Sequence, residues 1–239
     1  MENWLPAVTG IYLLGMVLYG HYKGFIRLAV SMLALILSLT IVRASLPAVT
    51  GYLKENTGLQ QMISENMKKS IGLEQKAPLT DDESETPSVQ RTIIENLNLP
   101  QGVKTTLLEN NNSEMYRSLG VSAFTDYIGS FMADIILNYA GFAILFAAVY
   151  LALKIVVRWL DIISHLPILS GINKITGALL GGVEGLAFVW LACMVITVFS
   201  TTAWGLEIFR QIEASKWLTY LYTRNFLKFM VLGVIQGII

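Results

Sequence analysis

The chain carries one cysteine, two histidines and little charge: 17 Lys and Arg against 17 Asp and Glu in 239 residues. A single cysteine forms no internal disulfide, and Cys193, inside an apolar run, reads as a small buried hydrophobe. His21 and His165 are far apart and lack ligand spacing, which excludes a histidine-built metal site. Zero net charge excludes a globally basic nucleic-acid binder. The Gly-x-Ser-x-Gly, His-Glu-x-x-His and P-loop patterns are missing as well. No enzymatic activity and no cofactor are therefore expected.

Scarce charge goes with abundant apolar sequence. Charged residues make up 14% of the chain, where soluble domains have about 25%. Hydrophobic residues make up 54%, and several runs approach or exceed the roughly 20 residues that span a bilayer as helix. The expected class is an all-α integral membrane protein with four spans, near 4–22, 28–49, 129–153 and 175–200. The first run has no basic leader, since Glu2 is the one charge before it, and no small-residue cleavage site follows. It reads as a retained helix.

Charge in the connections sets the direction. "GHYKGFIR" holds Lys23 and Arg27 and no acid, and the second short loop holds Lys154, Arg158 and Lys174 against Asp161. Segment 50–128 has seven basic and eleven acidic residues. Basic short loops stay in the cytoplasm, which leaves both termini and the insert extracytoplasmic. Four parts follow: a hairpin at 1–49, the insert at 50–128, a second hairpin at 129–202 and an interfacial helical segment at 203–239.

Within the insert, Leu59, Met62, Ile63, Met67 and Ile71 share a helical face. An acidic, proline-containing stretch near 74–88 should be mobile. Weaker amphipathic patterns, Val89, Ile93, Ile94 and Leu97 and then Val103, Leu107 and Leu108, flank a Pro100-Gln101-Gly102 turn. Trp217, Tyr220, Tyr222 and Phe226 suit a headgroup interface. The apolar stretch from Phe229 to Ile239 is too short to span; it is re-entrant, interfacial or packed on the outer end.

Two features inside the spans need a reason. Gly177, Gly181 and Gly185 lie four apart on one stripe, where small residues let helix backbones approach closely. The partner is the second or third helix of the same chain, or a second copy. Glu184 lies nine residues into its span, roughly 13 Å deep. An acid there costs about 2.5–3.5 kcal/mol unless paired or wetted. It is a cross-helix polar contact or a proton- or cation-binding group in a cavity. Arg43 and Asp134, both placed in the outer leaflet, are candidates for an ion pair.

The turn "YKGFIRLAVSMLALILS" and the segment "LSGINKITGALLGGVEGLAFV" together resemble the CvpA family of colicin V production proteins. The resemblance rests on Lys23, Gly24, Phe25 and Arg27, and on Ser170, Gly171, Asn173, Lys174, Gly177 and Gly181. The tail "EASKWLTYLYTRNFL" is similar to that of Gram-positive-type members. Leu28, Pro6 and Glu184 depart from the family pattern. The resemblance implies a bacterial cytoplasmic (inner) membrane protein tied to toxin production or export and envelope homeostasis. It brings no catalytic residue. Lys23, Gly24, Arg27, Asn173 and Lys174 are expected at the cytoplasmic turn, and Gly171 with the three later glycines in helix packing. The expected partners are the lipid bilayer, a second copy of the chain, and an extracytoplasmic protein met by 50–128. A small channel or transporter using Glu184 and a membrane scaffold are the competing functions.

Overall fold

The structure is a computed structural model that describes residues 3–73, 86–159 and 172–235. Among those residues it is helical throughout, with no strand. In chain order the helices are α1 (Leu5–Lys23), α2 (Phe25–Thr57), α3 (Leu59–Ser70), α4 (Pro87–Asn96), α5 (Gln101–Glu109) and α6 (Ser113–Leu119). Then come α7 (Phe124–Trp159), α8 (Ile172–Val198), α9 (Ala203–Glu213), α10 (Lys216–Thr223) and α11 (Phe226–Ile235).

Three stretches are long and apolar enough to cross a membrane: Phe25–Glu55, Phe124–Trp159 and Asn173–Val198. α1 was expected as a fourth and is not among them. It has only 19 residues, and three glycines, three tyrosines, His21 and Lys23 dilute its hydropathy. The long helices also exceed their expected bounds. α2 runs past residue 49 to Thr57, and α7 begins at Phe124, so regular helix passes through both edges of the insert.

Single-residue corners bound α2. Gly24 (φ +77°) joins it to α1 and Gly58 (φ +63°) joins it to α3. Both sit in the left-handed region, where a residue with a Cβ is strained. At the first corner the Asn173 side chain reaches over from α8. Its Oδ1 accepts a hydrogen bond from the Ile26 amide at 3.3 Å, satisfying one of the orphan donors of a helix start. Two motifs 147 residues apart therefore meet at one point.

Neighbour pairs along the bundle fix its directions. Gly20 lies against Gly177, and Met16 against Gly181 and Gly185, so α1 and α8 are antiparallel. Ser31 pairs with Lys154 and Lys54 with Asp134, so α2 and α7 are antiparallel too. α2 and α8 thus start at one end of the bundle, and α1 and α7 finish there. That end holds Lys23, Arg27, Lys154, Arg158 and Lys174.

At the opposite end the insert joins the core of the long helices. Ile94, Leu97, Val103 and Leu107 are buried in one cluster with Tyr127, Ile128 and Phe131 of α7 and with Leu227, Val231 and Leu232 of α11. The Tyr127 hydroxyl donates to the Leu107 carbonyl at 2.7 Å, and its ring stacks on Tyr116. α11 therefore packs among the helices rather than lying free. Lys228 donates to Thr106 Oγ1 at 2.8 Å. Burial pulls its ammonium below the ordinary lysine range, and Glu109 opposes that shift.

A buried carboxylate beside a basic cavity

The main polar site inside the bundle is built by α2, α7 and α8. Glu184, 4% exposed, projects from the middle of α8. Its Oε1 accepts two hydrogen bonds, from Ser31 Oγ of α2 at 2.6 Å and from the Tyr150 hydroxyl of α7 at 2.8 Å. Ser31 in turn accepts from Lys154 Nζ at 2.6 Å, and that ammonium also lies 5.2 Å from the centre of the Tyr150 ring. One carboxylate oxygen thus gathers three helices, with a cation one hydroxyl away. Such charge-assisted bonds are stronger than neutral ones, and more so where water is scarce.

Aromatic rings close the site toward the insert end. Phe146 and Tyr150, one turn apart on α7, are stacked, and Phe188 of α8 meets both edge-on. Toward the basic end the surroundings open into a cavity of about 530 Å³. Ser31 and Lys154 line its inner part, and Tyr19, Lys23, Arg27 and Arg158 its outer part. No acid lines it, and none of its four cations pairs with a carboxylate among the described residues.

The structure separates residues that the sequence had grouped. Asp134 does not meet Arg43, which is exposed on α2. Asp134 is 2% exposed and is held by Lys54 Nζ at 2.5 Å and Gln60 Nε2 at 2.8 Å. The pairing follows from α2 continuing to Thr57, which brings Lys54 level with Asp134. Arg43 stands three turns lower on a face turned outward.

α3 docks partly through its apolar face, with Ile71 buried in the core and Met67 packed against it, and partly through a polar seam beside that face. Met62 is exposed, while Gln60, Ser64 and Lys68, each four apart, face α7. They meet Asp134, Gly129 and Asp126 in reverse order. Lys68 Nζ lies 2.5 Å from Asp126, and a Cβ at Gly129 would come within 2.5 Å of the Ser64 hydroxyl. The seam leaves Met62 exposed because burying Asp134 without donors costs more than exposing one methionine.

The glycine ladder faces a helix that was not expected. Its partner is α1, rather than the second or third helix. A Cβ on Gly177 would run into the Gly20 carbonyl, and one on Gly181 into the Met16 carbonyl. One on Gly185 would lie 2.8 Å from the Met16 Cβ. Gly20 reciprocates, since a Cβ there would run into the Gly177 carbonyl. Tyr222 differs from its expected interfacial setting as well. It is buried, with its hydroxyl 3.1 Å from Thr197 Oγ1. Trp217, Tyr220 and Phe226 are exposed. Ser170, Gly171, His165, most of the acidic stretch near 74–88 and the last four residues of the chain lie outside the described residues.

Ser31, Tyr150 and Lys154, the partners of Glu184, carry no signal in the sequence that marks them as such, and neither do Lys54, Gln60 and Lys68. The repeat of four in Gln60, Ser64 and Lys68 is visible there, and so is the reach of eight residues from Asp126 to Asp134. What links them is the antiparallel placement of α3 on α7, which no local pattern records.

Comparison with curated proteins and with solved structures found no match. A family model described as colicin V production protein matches residues 116–224, from α6 through α10. The matched segment takes in Asn173, Lys174, Glu184 and the glycine ladder, and leaves out the Lys23–Arg27 turn. Through that segment, just under half its length, the chain is similar to the colicin V production protein family.

Proposed function

We propose that this is a non-enzymatic membrane protein of the colicin V production type, acting in toxin production or export and in envelope homeostasis. The family match across α6–α10 carries the reading. The test is complementation. In a colicin V producer deprived of its own family member, the full-length chain should restore toxin release. A correctly inserted chain that restores none would contradict the proposal.

In this reading the chain crosses the cytoplasmic membrane four times. α1 is the fourth span because it lies antiparallel along α8 and presents Ile11, Leu14 and Leu18 outward. At 1.5 Å per residue its 19 residues reach about 28 Å, close to the hydrocarbon thickness. The end bearing Lys23, Arg27, Lys154, Arg158 and Lys174 faces the cytoplasm under the positive-inside rule. Insert and termini lie outside. Glu184 serves as a clamp among α2, α7 and α8. The glycine ladder is occupied by α1, so self-association would use another face, such as the exposed apolar side of α7.

A second reading, a small transporter, is favoured by the cavity that ends at Ser31. The four cations lining it repel cations and draw anions, so the solute would be anionic. Proteoliposome flux decides it: anion flux that Lys154→Met diminishes supports transport. Equal absence of flux in wild type and variant ends this reading.

A further inference from the structure

The cavity at the basic end combines three properties that together specify a ligand. Its charge has one sign: Lys23, Arg27, Lys154 and Arg158, without an acid among the described residues. Its size, about 530 Å³, lies in the range of small-molecule sites and exceeds what a halide needs. Its cations are layered. Lys154 stands innermost beside Ser31, whose proton goes to Glu184, while Arg27 and Arg158 each stand one turn farther out on α2 and α7. Like charges gathered against low-dielectric walls focus a positive field. They repel one another until an anion enters.

Arginine forks match the paired oxygens of a phosphate group, and lysine supplies a point charge deeper in. Beside the mouth, Phe25, Ile155, Val156 and Trp159 are exposed and apolar, as a surface in contact with acyl chains would be. Basic pockets between membrane helices at the cytoplasmic side take up anionic headgroups.

The geometry points to a binding site for a phosphate-bearing anion in this cavity, gripped by Arg27 and Arg158 and bottomed by Lys154 and Ser31. The phosphate comes from an anionic phospholipid headgroup or from a free phosphate compound. The site depends on the proposed function only for its cytoplasmic orientation, and it is tested on purified protein with no reference to toxin release.

Full-length protein is placed in nanodiscs of phosphatidylcholine with graded phosphatidylglycerol, and bound lipid is counted by native mass spectrometry. In a second arm, inorganic phosphate is added to protein in neutral detergent, and melting is compared with chloride of equal ionic strength. The variant is Arg27→Gln with Arg158→Gln, both exposed and free of carboxylate partners among the described residues. Arg91→Gln with Arg210→Gln is the control. Retention of phosphatidylglycerol that falls on the order of tenfold in the variant and not in the control assigns a lipid headgroup. A phosphate-specific rise in melting temperature that the variant loses assigns a free phosphate. The proposal is overturned if neither ligand is preferred, or if variant and wild type bind alike.

Discussion

A single carboxylate oxygen decides how the middle of this bundle is held. Glu184 Oε1 takes hydrogen bonds from hydroxyls on two helices, and Lys154 sits behind one of those hydroxyls. Ser31→Ala removes the inner link and should lower stability by about 1.5–3 kcal/mol, the range for hydrogen bonds to charged groups. Glu184→Gln keeps an acceptor oxygen and should cost less than Ser31→Ala. Unfolding in detergent checks the order of the two. The Lys54–Asp134 pair offers a sharper contrast because its two side chains differ in exposure, Lys54 at 27% and Asp134 at 3%. Lys54→Met strands a buried acid and should cost about 3–5 kcal/mol. Asp134→Ala leaves a lysine able to reach water and should cost less. The reverse order would mean that the pair is not what holds Asp134. Sequence identified both acids as anomalies, since each interrupts an apolar run. Their donors stayed hidden, because serine, tyrosine and glutamine are unexceptional where they stand and become partners only through helix direction.

At the scale of the helix, backbone proximity sets the rules. Gly20, Gly177 and Gly181 let α1 and α8 touch main chain to main chain, so a valine at any of them must push the helices apart. Gly20→Val and Gly177→Val should each lower the melting temperature by several degrees. Gly10 and Gly15, on the same helix as Gly20, have open space where a Cβ would stand. Alanine there should be neutral or stabilise by up to about 1 kcal/mol. Equal losses at all four positions would show that the close approach of α1 and α8 is not what these glycines serve. The ladder itself was legible from its spacing of four. Its partner was not, because α1 carries glycines at several positions and nothing local distinguishes Gly20 from Gly10. Likewise, the amphipathic pattern of α3 was visible, and Met67 and Ile71 do pack on the core, yet the polar seam beside them depends on Asp126 and Asp134 of another helix.

For the whole molecule, hydropathy reads the three long helices directly, and basic residues mark one end of the bundle. α1 falls short on composition, and the proposal that it crosses the membrane rests on its alignment with α8. The apolar segments of the insert were legible as short helices. That their buried faces merge with the core of α7 and α11 was not, since this needs contacts 20 positions apart at Leu107 and Tyr127 and 122 apart at Thr106 and Lys228. A four-span path requires α1 to pass through the bilayer with the basic corner inside. Labelling intact cells with a membrane-impermeant thiol reagent, in a Cys193→Ser background, tests this directly. Asn3→Cys should react from outside, and Arg27→Cys only after permeabilisation; reaction of both positions from the same side would contradict the four-span path.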